Sequence, residues 1–139
     1  GQCGHGDQRI RNLPTEISAL QGKRVVQAAA GYFFSLVLTQ GHEVFSFGYG
    51  DAGELGHGDT QHQHLPKLVE ALRGRRVVEI ACDEASLVMT ESGDVLEFGR
   101  SVRNKFLKIL VPDSVAVAPV IGPMVVAMGI EEGRERRRD

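Results

Sequence analysis

The chain has 139 residues, 42% of them apolar, with 16 basic and 18 acidic groups and a formal charge of −2. That is enough length for about one domain and enough apolar content for a core, which excludes a chain disordered throughout. The near-neutral balance argues against a nucleic-acid surface, and no nucleic acid is expected as a partner.

The opening residues GQCGHGDQRI carry no apolar run, so no signal peptide is read here. The segments 24-RVVQAAA-30, 33-FFSLVLT-39 and 43-EVFSFG-48 are rich in β-branched and aromatic residues. Gly31 and 40-QGH-42 separate them, and they read as short strands. A glycine-rich loop follows, 48-GYGDAGELGHGD-59. Three further strands are expected at 76-RVVEIA-81, 86-SLVMT-90 and 94-DVLEFG-99, with 91-ESG-93 as a tight hairpin turn. No segment sustains a helical period. Residues 114–130 form a run of seventeen uncharged residues, short of the roughly 20 a bilayer needs. Pro119, Gly122 and Pro123 interrupt it. It reads as buried strands, and no membrane is expected as a partner. The tail 134–139 mixes arginines with acids and reads as a solvated end.

The chain repeats itself. GHGD stands at Gly4–Asp7 and again at Gly56–Asp59; Pro14 matches Pro66, Leu20 matches Leu72, Gly22 matches Gly74, and 23-KRVV-26 matches 75-RRVV-78, all at an offset of 52. Farther on, 35-SLVLT-39 matches 86-SLVMT-90 and 44-VFSFG-48 matches 95-VLEFG-99, at an offset of 51. One residue is lost between Ile80 and Ser86. The copies are read as 1–48 and 49–99, with a degenerate third over 100–133. In the third, Pro112, Val115 and 125-VVAMGIEEG-133 resemble Pro66, Val69 and 77-VVEIACDEA-85. A period near fifty residues of short antiparallel strands is that of a propeller blade. The fold class expected is all-β: a partial β-propeller of antiparallel four-stranded blades. Val25, Val37, Phe47, Val77, Val88 and Phe98 are the side chains expected between blades.

The motif string 53-GELGHGD-59, Pro66-x-x-Val69, Leu72, 77-VVEIA-81, Ser86, Thr90-x-x-Gly93-x-Val95 and Phe98-Gly99 resembles the repeat of the regulator of chromosome condensation family. The resemblance covers residues 1–99 well. It implies seven-bladed propellers in full-length members, which include an exchange factor for a small GTPase and large ubiquitin ligases. Two to three repeats instead of seven read as a fragment, with the remaining blades expected in a longer chain. Phe34 and Ala85 sit where the family usually has a histidine before the serine. The implied function is a non-catalytic protein–protein interaction module, inside the cell in cytoplasm or nucleus. Alternatives are part of a guanine-nucleotide exchange factor, with a small GTPase as partner, or a targeting segment of a ubiquitin ligase, with a ubiquitin-pathway component as partner. The family's light-sensing member relies on tryptophans, and this chain has none.

The loop Gly48, Gly50, Gly53 spells G-x-G-x-x-G, the dinucleotide fingerprint. That chemistry needs a helix directly after the glycines, to aim its N-terminus at a pyrophosphate. Here Gly56, Gly58 and Pro66 follow, and the loop recurs at Gly4 and Gly6. Gly4, Gly6, Gly53, Gly56 and Gly58 are therefore read as structural turn positions with positive φ, and no cofactor is expected. His57, His62 and His64 have metal-ligand chemistry, yet no second ligand cluster completes a site, so no metal is expected. Asp7 and Asp59 are read as residues that hydrogen-bond their own turns. Cys3 and Cys82 allow one disulfide, and their spacing leaves the pairing open. No catalytic residue is expected. The loops carrying Asp51 and Glu54, and Gln61, His62 and His64, are the expected contacts with partner proteins.

Overall fold

A computed structural model describes residues 1–100. The degenerate third copy and the charged tail lie outside the described residues. Seven strands run in chain order: β1 (Val25–Ala30), β2 (Phe34–Thr39), β3 (Val44–Gly48), β4 (Gln63–Leu68), β5 (Val77–Cys82), β6 (Ala85–Thr90) and β7 (Val95–Gly99). They form two antiparallel sheets, β1-β2-β3-β4 and β5-β6-β7. Both sheets obey the internal repeat. Phe34 pairs with Gly48 as Ala85 pairs with Gly99, and each first strand carries an irregularity at the same place, Val25/Gln27 and Val77/Glu79. Short 3₁₀ turns at Ser18–Leu20 and Glu70–Leu72 are also one repeat apart, a local structure the sequence reading did not include. Among the described residues no helix is long and apolar enough to cross a membrane.

Strand β4 was not among the expected strands. It lies within the second sequence copy yet completes the first sheet by pairing with β3. Pro66 sits in it without breaking a central ladder, because β4 is the edge of its sheet.

The two sheets pack face to face. The layer between them buries Phe34, Leu36, Leu38 and Val44 from the first sheet against Val77, Ile80, Cys82 and Val88 from the second, closed by Leu55, Val69 and Leu72. Phe98 packs on its margin. Phe34, at the family's histidine position, is thus a core residue. Val37 and Phe47, expected between blades, lie outside the layer between the two described sheets. They point to the opposite face of the first sheet and pack with Phe45, Ile17, Leu20 and Leu68. Side chains alternate across a strand, so Val37 and Leu36 cannot share a face. Val25 is exposed, at the edge of its sheet beside the ladder irregularity. The second cluster is one half of the first, moved back by a repeat: Ile17, Leu20, Val37, Phe45 and Phe47 match Val69, Leu72, Val88, Leu96 and Phe98. Each blade thus has two unlike apolar faces.

Polar groups tie the sheets as well. The Gln27 amide donates to the carbonyl of Ile80 and accepts from its N–H, both at 3.1 Å. One side chain so satisfies a donor and an acceptor of the neighbouring sheet's outermost strand. His42, in the β2–β3 turn, places Nδ1 2.9 Å from the carbonyl of Val77, to which it donates.

Candidate functional site

The glycine loops are built as turns latched onto the sheets. Gly4, Gly6, Gly53, Gly56 and Gly58 all have positive φ. Gly4 and Gly56 are one repeat apart, and each lies on the ring of an equally repeated phenylalanine. A Cβ added at Gly4 would stand 2.9 Å from Phe47, and one at Gly56 would stand 2.8 Å from Phe98. The loop carbonyls are gripped from the sheets. Ser35 Oγ donates to Gln2 O at 2.9 Å, and its repeat counterpart Ser86 donates to Glu54 O at 2.6 Å. Asp7 Oδ1 accepts from Arg9 N–H, and Asp59 Oδ1 from Gln61 N–H, each at 3.0 Å. The Arg11 guanidinium, with the Arg9 N–H, holds the Asp7 carboxyl below its usual range. These repeated bonds use Asp7 and Asp59 as turn residues.

The three histidines are engaged separately. Ser46 Oγ donates to Leu55 O at 2.6 Å, so its only proton is used; the 2.9 Å contact with His57 therefore runs from Nε2–H to Oγ. Burial, helped by the charge of Lys67, pushes the His57 imidazole below its ordinary value of 6.5. An unfolded chain then binds that proton more readily than the folded one. The His57 contribution to stability is full above pH 6.5 and is lost as pH falls from there through its lowered folded value. His57→Gln should flatten this acid slope in denaturation midpoints measured between pH 7 and 5; an unchanged slope would refute the assignment. His64 lies in β4, half-buried, with Nε2 3.3 Å from the Gln8 amide. His62 accepts the Gly50 N–H at Nδ1, at 3.1 Å, which leaves the ring proton on Nε2, 3.7 Å from Asp51. Among the described residues no three His, Cys, Asp or Glu gather around a common point. Cys3 is exposed and Cys82 buried, both as free thiols; burial pushes the Cys82 thiol up to about 12, so it stays protonated.

The expected partner-loop residues part company. Asp51 and Gln61 are exposed, as is His62. Glu54 is only 4% exposed, and its carboxylate accepts the Ala52 N–H at 2.8 Å, which makes it an internal strut of the loop.

Beside them stands a feature the sequence reading missed. Tyr32, Phe33 and Tyr49 are 65%, 64% and 42% exposed. They form a row: Tyr32 and Phe33 meet edge to face at 6.1 Å, Phe33 and Tyr49 at 6.5 Å, and Tyr49 stacks on His62 at 4.5 Å. Both tyrosines of the chain are in it. The Tyr49 hydroxyl donates to Asp51, and that carboxylate raises the phenol's pKa. Phe33 holds a left-handed φ of 61°, uncommon for a bulky residue, and Tyr49 N–H donates to its carbonyl at 2.8 Å. The signal was in 31-GYFF-34: Gly31 ends the first strand, so Tyr32 and Phe33 belong to the connection and only Phe34 enters β2. Exposed aromatics in mutual contact are rare on a surface that faces only water and are enriched where proteins bind.

Comparison with known proteins bears on this arrangement. The model of the regulator of chromosome condensation (RCC1) repeat matches residues 1–38 and 42–84, and a second model of the same repeat matches residues 25–54. The ultraviolet-B receptor UVR8 of Arabidopsis thaliana is 38% identical over 139 residues, which covers 94% of this chain and 31% of that protein. The E3 ubiquitin-protein ligase HERC2 of Homo sapiens is 41% identical over 102 residues, 71% of this chain and 2% of that protein. The crystal structure of human WBSCR16 superposes with a TM-score of 0.61 at 25% identity, covering 80% of this chain and 29% of that one. The chain thus spans less than a third of each of these proteins.

Proposed function

We infer the function from one premise: this chain belongs to the regulator of chromosome condensation repeat family. Its two described sheets are neighbouring blades of the β-propeller type, and the reading they support is a non-catalytic protein–protein interaction module. The observation that carries it is the exposed row Tyr32, Phe33, Tyr49 and His62, held on a rigid two-sheet base. Tyrosine and phenylalanine offer large contact areas with few rotatable bonds, which is why such residues dominate binding energy between proteins. The reading assigns the partner contact to this rim, with Asp51 and Gln61 at its margin, and Glu54 to its support. It also sets the chain inside the cell, where an exposed thiol such as Cys3 stays reduced.

The photoreception of UVR8 is not carried over, since the sequence holds no tryptophan. The identity shared with HERC2 favours a second reading, in which the module is a targeting segment of a ubiquitin ligase. Photo-crosslinking tests the first reading. A benzophenone side chain at position 33 should capture discrete proteins in cells, while the same group at position 75, on the opposite rim, should not. Identical capture patterns at both positions would refute the rim assignment.

A further inference from the structure

Resting on that reading, we propose that the rim takes an arginine-bearing segment of its partner. The β1–β2 connection of the first sheet displays Tyr32 and Phe33, whereas the equivalent β5–β6 connection of the second displays Asp83 and Glu84, both exposed. The two connections touch: Tyr32 N–H donates to Asp83 O at 3.0 Å. On the other side of the row stands the exposed carboxylate of Asp51, paired with Tyr49 and His62. Three exposed carboxylates therefore flank the aromatics, with Arg100, among the described residues, on the Tyr49 side.

A guanidinium fits this pairing. It is planar and weakly hydrated, stacks on an aromatic face, and donates in a fork to carboxylates. The row offers faces that are not covered, and Asp83 and Glu84 offer acceptors one hydrogen-bonded connection away. A lysine would gain the charge but neither the stacking nor the fork. An acidic segment would meet like charge. At the other end of the strands both signs are present: Lys23 pairs with Glu43 and Arg76 with Glu91, beside Arg24 and Arg75. The combination of uncovered aromatic faces with exposed carboxylates belongs to the aromatic rim.

The test titrates the full 139-residue chain into a fluorescein-labelled peptide of alternating arginine and glycine, with lysine–glycine and glutamate–glycine peptides alongside. Fluorescence anisotropy should saturate with the arginine peptide, respond less to the lysine peptide and stay flat with the glutamate peptide. Tyr32→Ala, and separately the double change Asp83→Asn with Glu84→Gln, should each weaken arginine-peptide binding about two- to fivefold. Arg75→Gln should leave it unchanged, and added salt should weaken it. These side chains are exposed, so the variants keep the fold, which far-ultraviolet circular dichroism checks. Absence of arginine-peptide binding, equal binding of the glutamate peptide, or indifference to both rim variants overturns the proposal. If position 33 still captures proteins while the arginine peptide fails to bind, the interaction rim stands and the arginine segment falls.

Discussion

Leu36→Ala should lower the stability of the chain by about 2–5 kcal/mol, the usual loss for a fully buried leucine. Leu36 is 0% exposed in the layer between the two sheets, enclosed with Phe34, Leu38 and Val44 on its own side and with residues of the second sheet opposite. Truncation there removes apolar contacts and leaves a cavity that two rigid ladders cannot collapse around. The same change one repeat on, Leu87→Ala, should cost much less. Leu87 occupies the equivalent strand position, but it is half-buried, and near it Val95, the counterpart of Val44, is 39% exposed. The contrast measures what a neighbouring blade contributes to an identical residue in an identical strand. Urea denaturation of both variants reads it directly. Equal losses would mean that the two faces are equally covered and that the inter-sheet layer is not the main source of cohesion.

Gly56→Ala should be the second severe change, at about 2–4 kcal/mol, combining a left-handed backbone penalty with overpacking. Gly56 has φ +74°, and an added Cβ would lie 2.8 Å from Cε2 of Phe98 and 3.1 Å from Cγ1 of Val69. Phe98 packs, half-buried, at the margin of the inter-sheet core, and its ring must shift out of that packing to admit the Cβ. Gly58→Ala supplies the comparison. Its φ is +78°, but nothing lies within 4 Å of the added Cβ, so only the backbone term of about 1–2 kcal/mol remains. The difference between the variants isolates the packing of glycine on phenylalanine. Equal melting temperatures for the two would show that contact with Phe98 is not what demands glycine at position 56.

Much of this architecture was legible in the residues. The 52/51 offset placed equivalent atoms in equivalent bonds, from Ser35 and Ser86 on the loop carbonyls to Thr39 and Thr90, whose hydroxyls accept the N–H of Glu43 and Asp94 at 3.2 and 3.1 Å. Local chemistry of this kind travels with the sequence, because the partners are close in the chain or are repeated with it. The aromatic rim was less legible: Tyr32 and Phe33 were absorbed into a strand and its flank, and β4 was read as loop because Pro66 and the histidines mark it as polar and irregular.

The sequence by itself determined the repeat, the strand positions β1–β3 and β5–β7, and the glycine turns, since side-chain period and turn chemistry act over a few residues. Only the tertiary structure decided which face of each strand is covered. A period of two marks two faces and does not say which one a neighbour will meet; that depends on the packing of the second sheet, which put Leu36 and Val88 in one layer and Val37 in another. It also turned Glu54 inward as a strut and set Tyr32 beside Asp83. Tyr32 and Asp83 are distant in sequence, and their meeting follows from the stacking of one blade on the next.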